Sequence, residues 1–191
     1  MAVNVYDVLS LADGKAIPYG VYDVLRNTGF VNGGQDHDTA AFAVESIRRW
    51  WQQHGQDTYP AAHELLIVAD GGGSNSVRGR LWKTEVQGLA TETGLTLRVA
   101  HLPPGTSKWN KIEHRLFSYI SINGRARPFT SMETVIELIS GTTTTGGLRV
   151  AAVVDTNAYP TKMTVSDAEL QAIHLVRDAF HGDWNYALLP Q

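Results

Sequence analysis

The sequence predicts an α/β fold, a mixed sheet flanked by helices, and three observations predict it. A loop of turn formers, Arg26-Asn27-Thr28-Gly29, separates two β-rich runs. A continuous apolar run, residues 65–69, ends in Asp70 and three glycines, as expected of a strand covered on both faces in a parallel part of a sheet. A helix-period segment then leads to another strand, residues 95–102, which makes a strand-helix-strand crossover.

Taken in order, Val3, Val5, Leu9 and Leu11 alternate with other residues to give a half-buried strand with Asp7 on its apolar face. Residues 19–25 and 30–34 form a hairpin. Asp38 caps a helix reaching about His54, with Ala43, Ile47, Trp50, Trp51 and His54 on one stripe, and Gly55 ends it. After Gly71-Gly72-Gly73-Ser74-Asn75 a helix carries Val77, Leu81, Glu85 and Leu89 at every fourth position and continues to Gly94. Pro103-Pro104-Gly105 is a sharp break, and Ser107 caps a helix in which Trp109, Ile112, Leu116 and Tyr119 recur, with Pro128 beyond its end. Residues 132–140 form a helix, 142–147 a loop and 148–154 a strand. Ser166 with Glu169 is a capping box that opens a last helix towards Phe180. No repeat or linker divides the 191 residues, so one domain over 1–191 is expected, with 142–191 as its C-terminal extension.

Composition narrows the function. With 43% hydrophobic and 18% charged residues the chain is globular, and no apolar run is long enough to cross a bilayer. Cysteine is absent, so disulfides, thiolate zinc sites and cysteine nucleophiles are excluded, and a metal must be held by carboxylates or imidazoles. The N-terminus has no export signal, which predicts a cytoplasmic protein. A net charge of −3 argues against a generic nucleic-acid binder. Yet Arg98, Lys108, Lys111, Arg115, Arg125 and Arg127 face a single acid, Glu113, in one window, which could meet a phosphate backbone or be a solvated helix face.

Asp70 stands at the carboxyl edge of a sheet, where α/β proteins build sites, and glycines without Cβ atoms let a metal or phosphate come close. Its bland alternative is a helix-capping aspartate. Glu113 is the one acid among cations, which keep a carboxylate charged as a metal ligand must be; its bland alternative is a surface helix glutamate. His114, beside it, could contact a phosphate or steer a water. The other histidines, His101 included, show no HxxxH or HExxH spacing and read as packing, capping or surface residues. The tryptophans read mainly as core, although Trp109 could stack on a base.

Two stretches carry a resemblance: Leu66-Ile67-Val68-Ala69-Asp70-Gly71-Gly72-Gly73-Ser74-Asn75, and the segment from Pro103-Pro104-Gly105-Thr106-Ser107-Lys108-Trp109-Asn110 through Lys111-Ile112-Glu113-His114-Arg115-Leu116-Phe117-Ser118. Together with residues 14–23, Asp36-His37-Asp38-Thr39, Ser46-Ile47-Arg48-Arg49-Trp50-Trp51 and residues 179–186, they resemble the Rhodopirellula-type (ISAzo-type) insertion-sequence DDE transposases along nearly the whole chain. The resemblance implies a ribonuclease-H-like fold with Asp70 as the second acid of a triad and Glu113 as the third. It implies two Mg²⁺ (or Mn²⁺) ions roughly 4 Å apart for in-line displacement at phosphorus. It also implies DNA as partner, met by Lys108, Trp109, Lys111, His114 and Arg115, and a homo-oligomer in the full-length family.

Family members carry a DNA-binding region and a strand with the first catalytic aspartate before the segment that resembles Val3 to Asp7, and neither is found here. The expectation is therefore an N-terminally truncated domain lacking its first strand, with two of three acids, cutting DNA weakly or not at all. By period alone Asp7 could replace the first acid; by resemblance it belongs to the following connection. Two other readings stay open: a non-catalytic remnant that binds DNA or a partner subunit, and a carboxylate-metal hydrolase of small phosphates.

Overall fold

The structure, a computed structural model, describes residues 16–125 and 131–191. The expected strand around Asp7, together with Arg127 and Pro128, lies outside the described residues. The chain divides into two compact units, one of residues up to His37 with Lys111–Tyr159, the other of Asp38–Asn110 with Pro160–Gln191. The architecture is mixed α/β, and the described strands make two mixed sheets, one in each unit.

In the first unit, β1 (Ile17–Asp23) and β2 (Thr28–Gly34) pair antiparallel, and β5 (Arg149–Asp155) joins β2 in parallel, in the order β1-β2-β5. The predicted hairpin is present. Its turn is held by Asp23, whose Oδ1 accepts from the backbone N–H of Leu25 and Arg26, and Asn27 takes a positive φ of 53° there. A helical stretch from Lys111 covers the sheet, with a π-helical turn at Glu113–Phe117 and then α3 (Ser118–Asn123). Beside it lies α4 (Met132–Ser140), capped by Ser131, whose side chain accepts from Thr134 N–H. Val31, Leu116, Ile120, Val135, Ile139, Leu148 and Val150 form the core between these layers. Two glycines make the approach possible: a Cβ on Gly20 would lie 2.7 Å from the Phe117 ring, and one on Gly29 would lie 2.4 Å from Leu116 Cδ1.

The second unit opens with α1 (Ala40–Trp50), capped by Thr39 and not by Asp38: the Thr39 hydroxyl accepts from Phe42 N–H at 3.2 Å. Gly55 does not end this helix. A π-helical turn, Trp51–Gly55, carries it on to Thr58, and Gly55 sits in the ordinary right-handed region. The reason is packing, since a Cβ on Gly55 would come within 2.4 Å of the Trp51 ring.

β3 (Glu64–Asp70) runs parallel to β4 (Thr96–Leu102), joined through α2 (Arg80–Thr93), which stops at Gly94 with a left-handed φ of 70°. Two expectations change here. β3 is not covered on both faces: Leu66 is 62% and Val68 51% exposed. Of the expected stripe 77, 81, 85 and 89 only Leu89 is buried, and it is joined by Trp82, Val86 and Ala90, because the chain first makes a 3₁₀ turn at Gly73–Asn75 and the helix starts only at Arg80.

The capping box at Ser166 and Glu169 is present, but α5 (Asp167–Ala172) ends far short of Phe180. The chain turns extended at Ile173 and returns as β6 (Leu175–Arg177) and β7 (Asn185–Leu188), giving the sheet order β3-β4-β7-β6. Pairing of β7 with β4, some ninety residues earlier, replaces local helix hydrogen bonds there. Among the described residues no helix is long and apolar enough to cross a membrane.

Candidate functional site

Asp70 closes β3, in register with Leu102 at the end of β4, so the ladder of a parallel pair delivers its half-buried carboxylate to the carboxyl edge of the sheet. The glycines that follow are not equivalent. A Cβ on Gly71 would meet Val77 Cγ2 at 2.9 Å, the Leu102 carbonyl oxygen at 3.4 Å and the Trp184 ring at 3.6 Å. Gly72 and Gly73 face open space, and Gly73 takes a positive φ of 61°. Gly71 is thus needed for close packing, and the next two leave room beside the carboxylate. The loop is closed by Val77 N–H donating to the Gly71 carbonyl and Ser76 N–H to that of Gly73, both at 3.2 Å.

A carboxylate with open space beside it suits Mg²⁺ or Mn²⁺, which take oxygen ligands and keep several waters. The number of donors is another matter: among the described residues no group of three or more His, Cys, Asp or Glu side chains gathers as a metal cluster. Asp70 by itself offers one carboxylate donor, and a bound ion would need others.

Glu113, His114 and Arg115 lie on the π-helical turn of the first unit, all three exposed. Leu116 is fully buried and Phe117 presses on Gly20, so the inner face of that turn is pinned while the outer face presents the three polar residues. A π-helical turn widens the helix by one residue and is frequent at functional sites. Lys111 is exposed on the same unit. In the other unit, Lys108 and Trp109 are exposed on a 3₁₀ turn, with Lys108 Nζ 5.5 Å from the Trp109 ring centroid. Trp109, 68% exposed, is no core residue, because the helix it was expected to open begins after it.

The basic window is thinner than its count suggests. Arg98 is spoken for: its Nε and Nη2 donate to the two Glu64 carboxylate oxygens at 3.0 and 2.9 Å, which raises the Arg98 pKa and lowers that of Glu64. Lys108, Lys111, Arg115 and Arg125 remain exposed.

His101 was not singled out from the sequence as functional. It is 5% exposed on β4 and its Nε2 lies 2.8 Å from the carbonyl oxygen of Asn75, the last residue of the glycine loop. The signal was there: Leu97, Val99 and His101 alternate on the buried face, and a polar group at the site end of such a face must have a partner.

No curated protein and no solved structure matches the chain. A family model does, that of the Rhodopirellula transposase DDE domain, over residues 1–190. With the acid-glycine loop and the Glu113 turn inside that match, the chain belongs to the Rhodopirellula transposase DDE domain family.

Proposed function

We propose that the chain acts on DNA phosphodiester bonds as a transposase catalytic core, one domain over 1–191, with Asp70 and Glu113 as its catalytic, metal-holding carboxylates. The family is that of a transposase catalytic domain, whose substrate is DNA and whose members generally use divalent metal ions. The observation that carries the reading is Asp70: a half-buried carboxylate at the end of a parallel strand, beside Gly72 and Gly73, which open onto free space. Bound Mg²⁺ or Mn²⁺ would supply activation of the attacking oxygen and stabilisation of the leaving one.

The protein's own groups do the rest. Asp70 is presented on a rigid strand end, and Glu113 on a turn anchored by Leu116 and Phe117. Lys108, Lys111 and Arg115 neutralise phosphates, Trp109 offers a stacking face, and His114 contacts a phosphate or positions a water. Assembly into a homo-oligomer belongs to the same reading. Binding to DNA or to a partner subunit without cutting is the second reading, favoured by the exposed Lys108, Lys111 and Arg115.

The test is Mn²⁺ titration followed by electron paramagnetic resonance, with plasmid nicking and a DNA mobility shift on the same samples. Asp70→Asn and Glu113→Gln should each weaken Mn²⁺ binding by about tenfold, and the nicking given by the unchanged chain should fall in both variants. Mn²⁺ affinity unchanged in both variants would sink the metal reading, and DNA binding indifferent to Mn²⁺ with blank nicking would favour the second.

A further inference from the structure

The His101 ring is packed between aromatic neighbours, with its centroid 6.3 Å from that of Trp82 and 5.8 Å from that of Tyr186. Both ring nitrogens face carbonyl oxygens. Nε2 is 2.8 Å from Asn75 O, and Nδ1 is 3.2 Å from Trp184 O, which already accepts the His101 backbone N–H at 3.0 Å. Burial pushes the imidazole below its ordinary range, and the Lys83 ammonium adds to the effect, while the two carbonyls oppose it. In its neutral form the ring has one proton to give. The shorter contact, to an oxygen with no competing donor from His101's own backbone, takes it: Nε2–H donates to Asn75 O.

This bond closes a small frame. Asp70 is tied to β4 by the ladder to Leu102, and five residues later Asn75 is tied to β4 by the His101 side chain. Between these two anchors Gly72 and Gly73 have no neighbour that a side chain would touch. The same stretch carries two loop bonds, from Ser76 N–H to Gly73 O and from Val77 N–H to Gly71 O. At the other end of the frame Trp184 receives the His101 backbone N–H on its carbonyl oxygen and lays its ring near Gly71.

We propose that His101 is a positioning residue for the Asp70 loop: by donating from Nε2 to Asn75 O it holds Gly71–Asn75 closed against the end of β4, so that the carboxylate and the open glycine backbone face an incoming cation in one arrangement. The inference rests on the reading of Asp70 as a metal ligand for its consequence, but not for its geometry.

Its test uses the full chain with His101→Phe, which keeps an aromatic ring between Trp82 and Tyr186 and removes the N–H, and His101→Gln, which restores an amide donor. In His101→Phe the amides of Ser76 and Val77 should exchange with deuterium about tenfold faster, while the far-UV spectrum and cooperative melting persist. Mn²⁺ affinity should fall by about tenfold in the same protein, and His101→Gln should recover part of both losses. Wild-type exchange at Ser76 and Val77 in a folded His101→Phe protein overturns the proposal. Should that variant not fold, the wild-type ring decides: ¹⁵N resonances that place the proton on Nε2 support it, and a proton on Nδ1 overturns it. If Asp70→Asn leaves Mn²⁺ binding unchanged while His101→Phe still frees the loop, the latch stands and the metal reading fails.

Discussion

β2 and β3 are both seven residues long, and each pairs in parallel with another strand, yet their compositions and their surroundings are inverted. β2, Thr-Gly-Phe-Val-Asn-Gly-Gly, has three glycines and an asparagine and is buried from Gly29 through Gly34. β3, Glu-Leu-Leu-Ile-Val-Ala-Asp, is the apolar one and leaves Leu66 and Val68 more than half exposed. Position explains the inversion. β2 is the central strand of its sheet and is covered by the helical stretch that carries Leu116, whereas β3 is the edge strand of its sheet, with one face against α2 and no strand on its outer edge among the described residues. Burial follows the lane a strand occupies, and the small residues of β2 are what let a helix lie against it.

The strongest way to break the comparison is through the contact over β2. Leu116→Ala empties a fully buried site opposite Gly29 and Val31 and should cost about 3–4 kcal/mol, read from the urea midpoint. A loss below about 1 kcal/mol would mean that the helix does not seat on β2 as described.

The second is polar. Asn32, fully buried on β2, donates from Nδ2 to Asp155 Oδ2 at 3.0 Å. Asp155 is itself fully buried and also accepts from the Tyr159 hydroxyl at 2.6 Å and from Asn157 N–H. Tyr159 N–H in turn donates to Asp36, so the ends of β2 and β5 are laced by one network. Asn32→Leu matches the volume, removes one donor from a carboxyl group out of reach of water, and should cost about 2 kcal/mol in the same experiment. A neutral result would show that the carboxyl group does not depend on the Asn32 amide.

What the sequence disclosed follows the range of the forces involved. The Ser166 capping box and the glycine stop at Gly94 are local devices and stand where the sequence puts them, while the hairpin turn, held by Asp23, comes two residues earlier than the expected Arg26-Asn27-Thr28-Gly29 loop. Gly55 was misread because a glycine in a sequence can stop a helix or admit a ring, and only the Trp51 packing decides. The β6–β7 pair was missed because two strands of three and four residues have no local signal and exist by pairing with β4. The site was legible in a similar proportion. Asp70 and its glycines stand at the predicted edge, and Glu113 stands on an exposed turn, while Arg98 changed role through its pairing with the distant Glu64 and Trp109 because the helix begins only after it. His101 showed its role only once Asn75 was in place beside it.

The mildest perturbation is the one that sharpens the comparison most. Leu66 and Val68 project from β3 on the face away from α2, in rows opposite Arg98 and Ala100. If lane and not composition governs burial, replacing both by threonine removes little protected apolar area, keeps β propensity and adds hydroxyls that water can reach. The double variant Leu66→Thr, Val68→Thr should then shift stability by less than about 1 kcal/mol, with an unchanged dependence on urea concentration. It should also be less prone to associate, since an apolar edge strand is a template for pairing. A loss comparable to that of Leu116→Ala would mean that in solution something covers this face, and β3 would then be a buried strand after all.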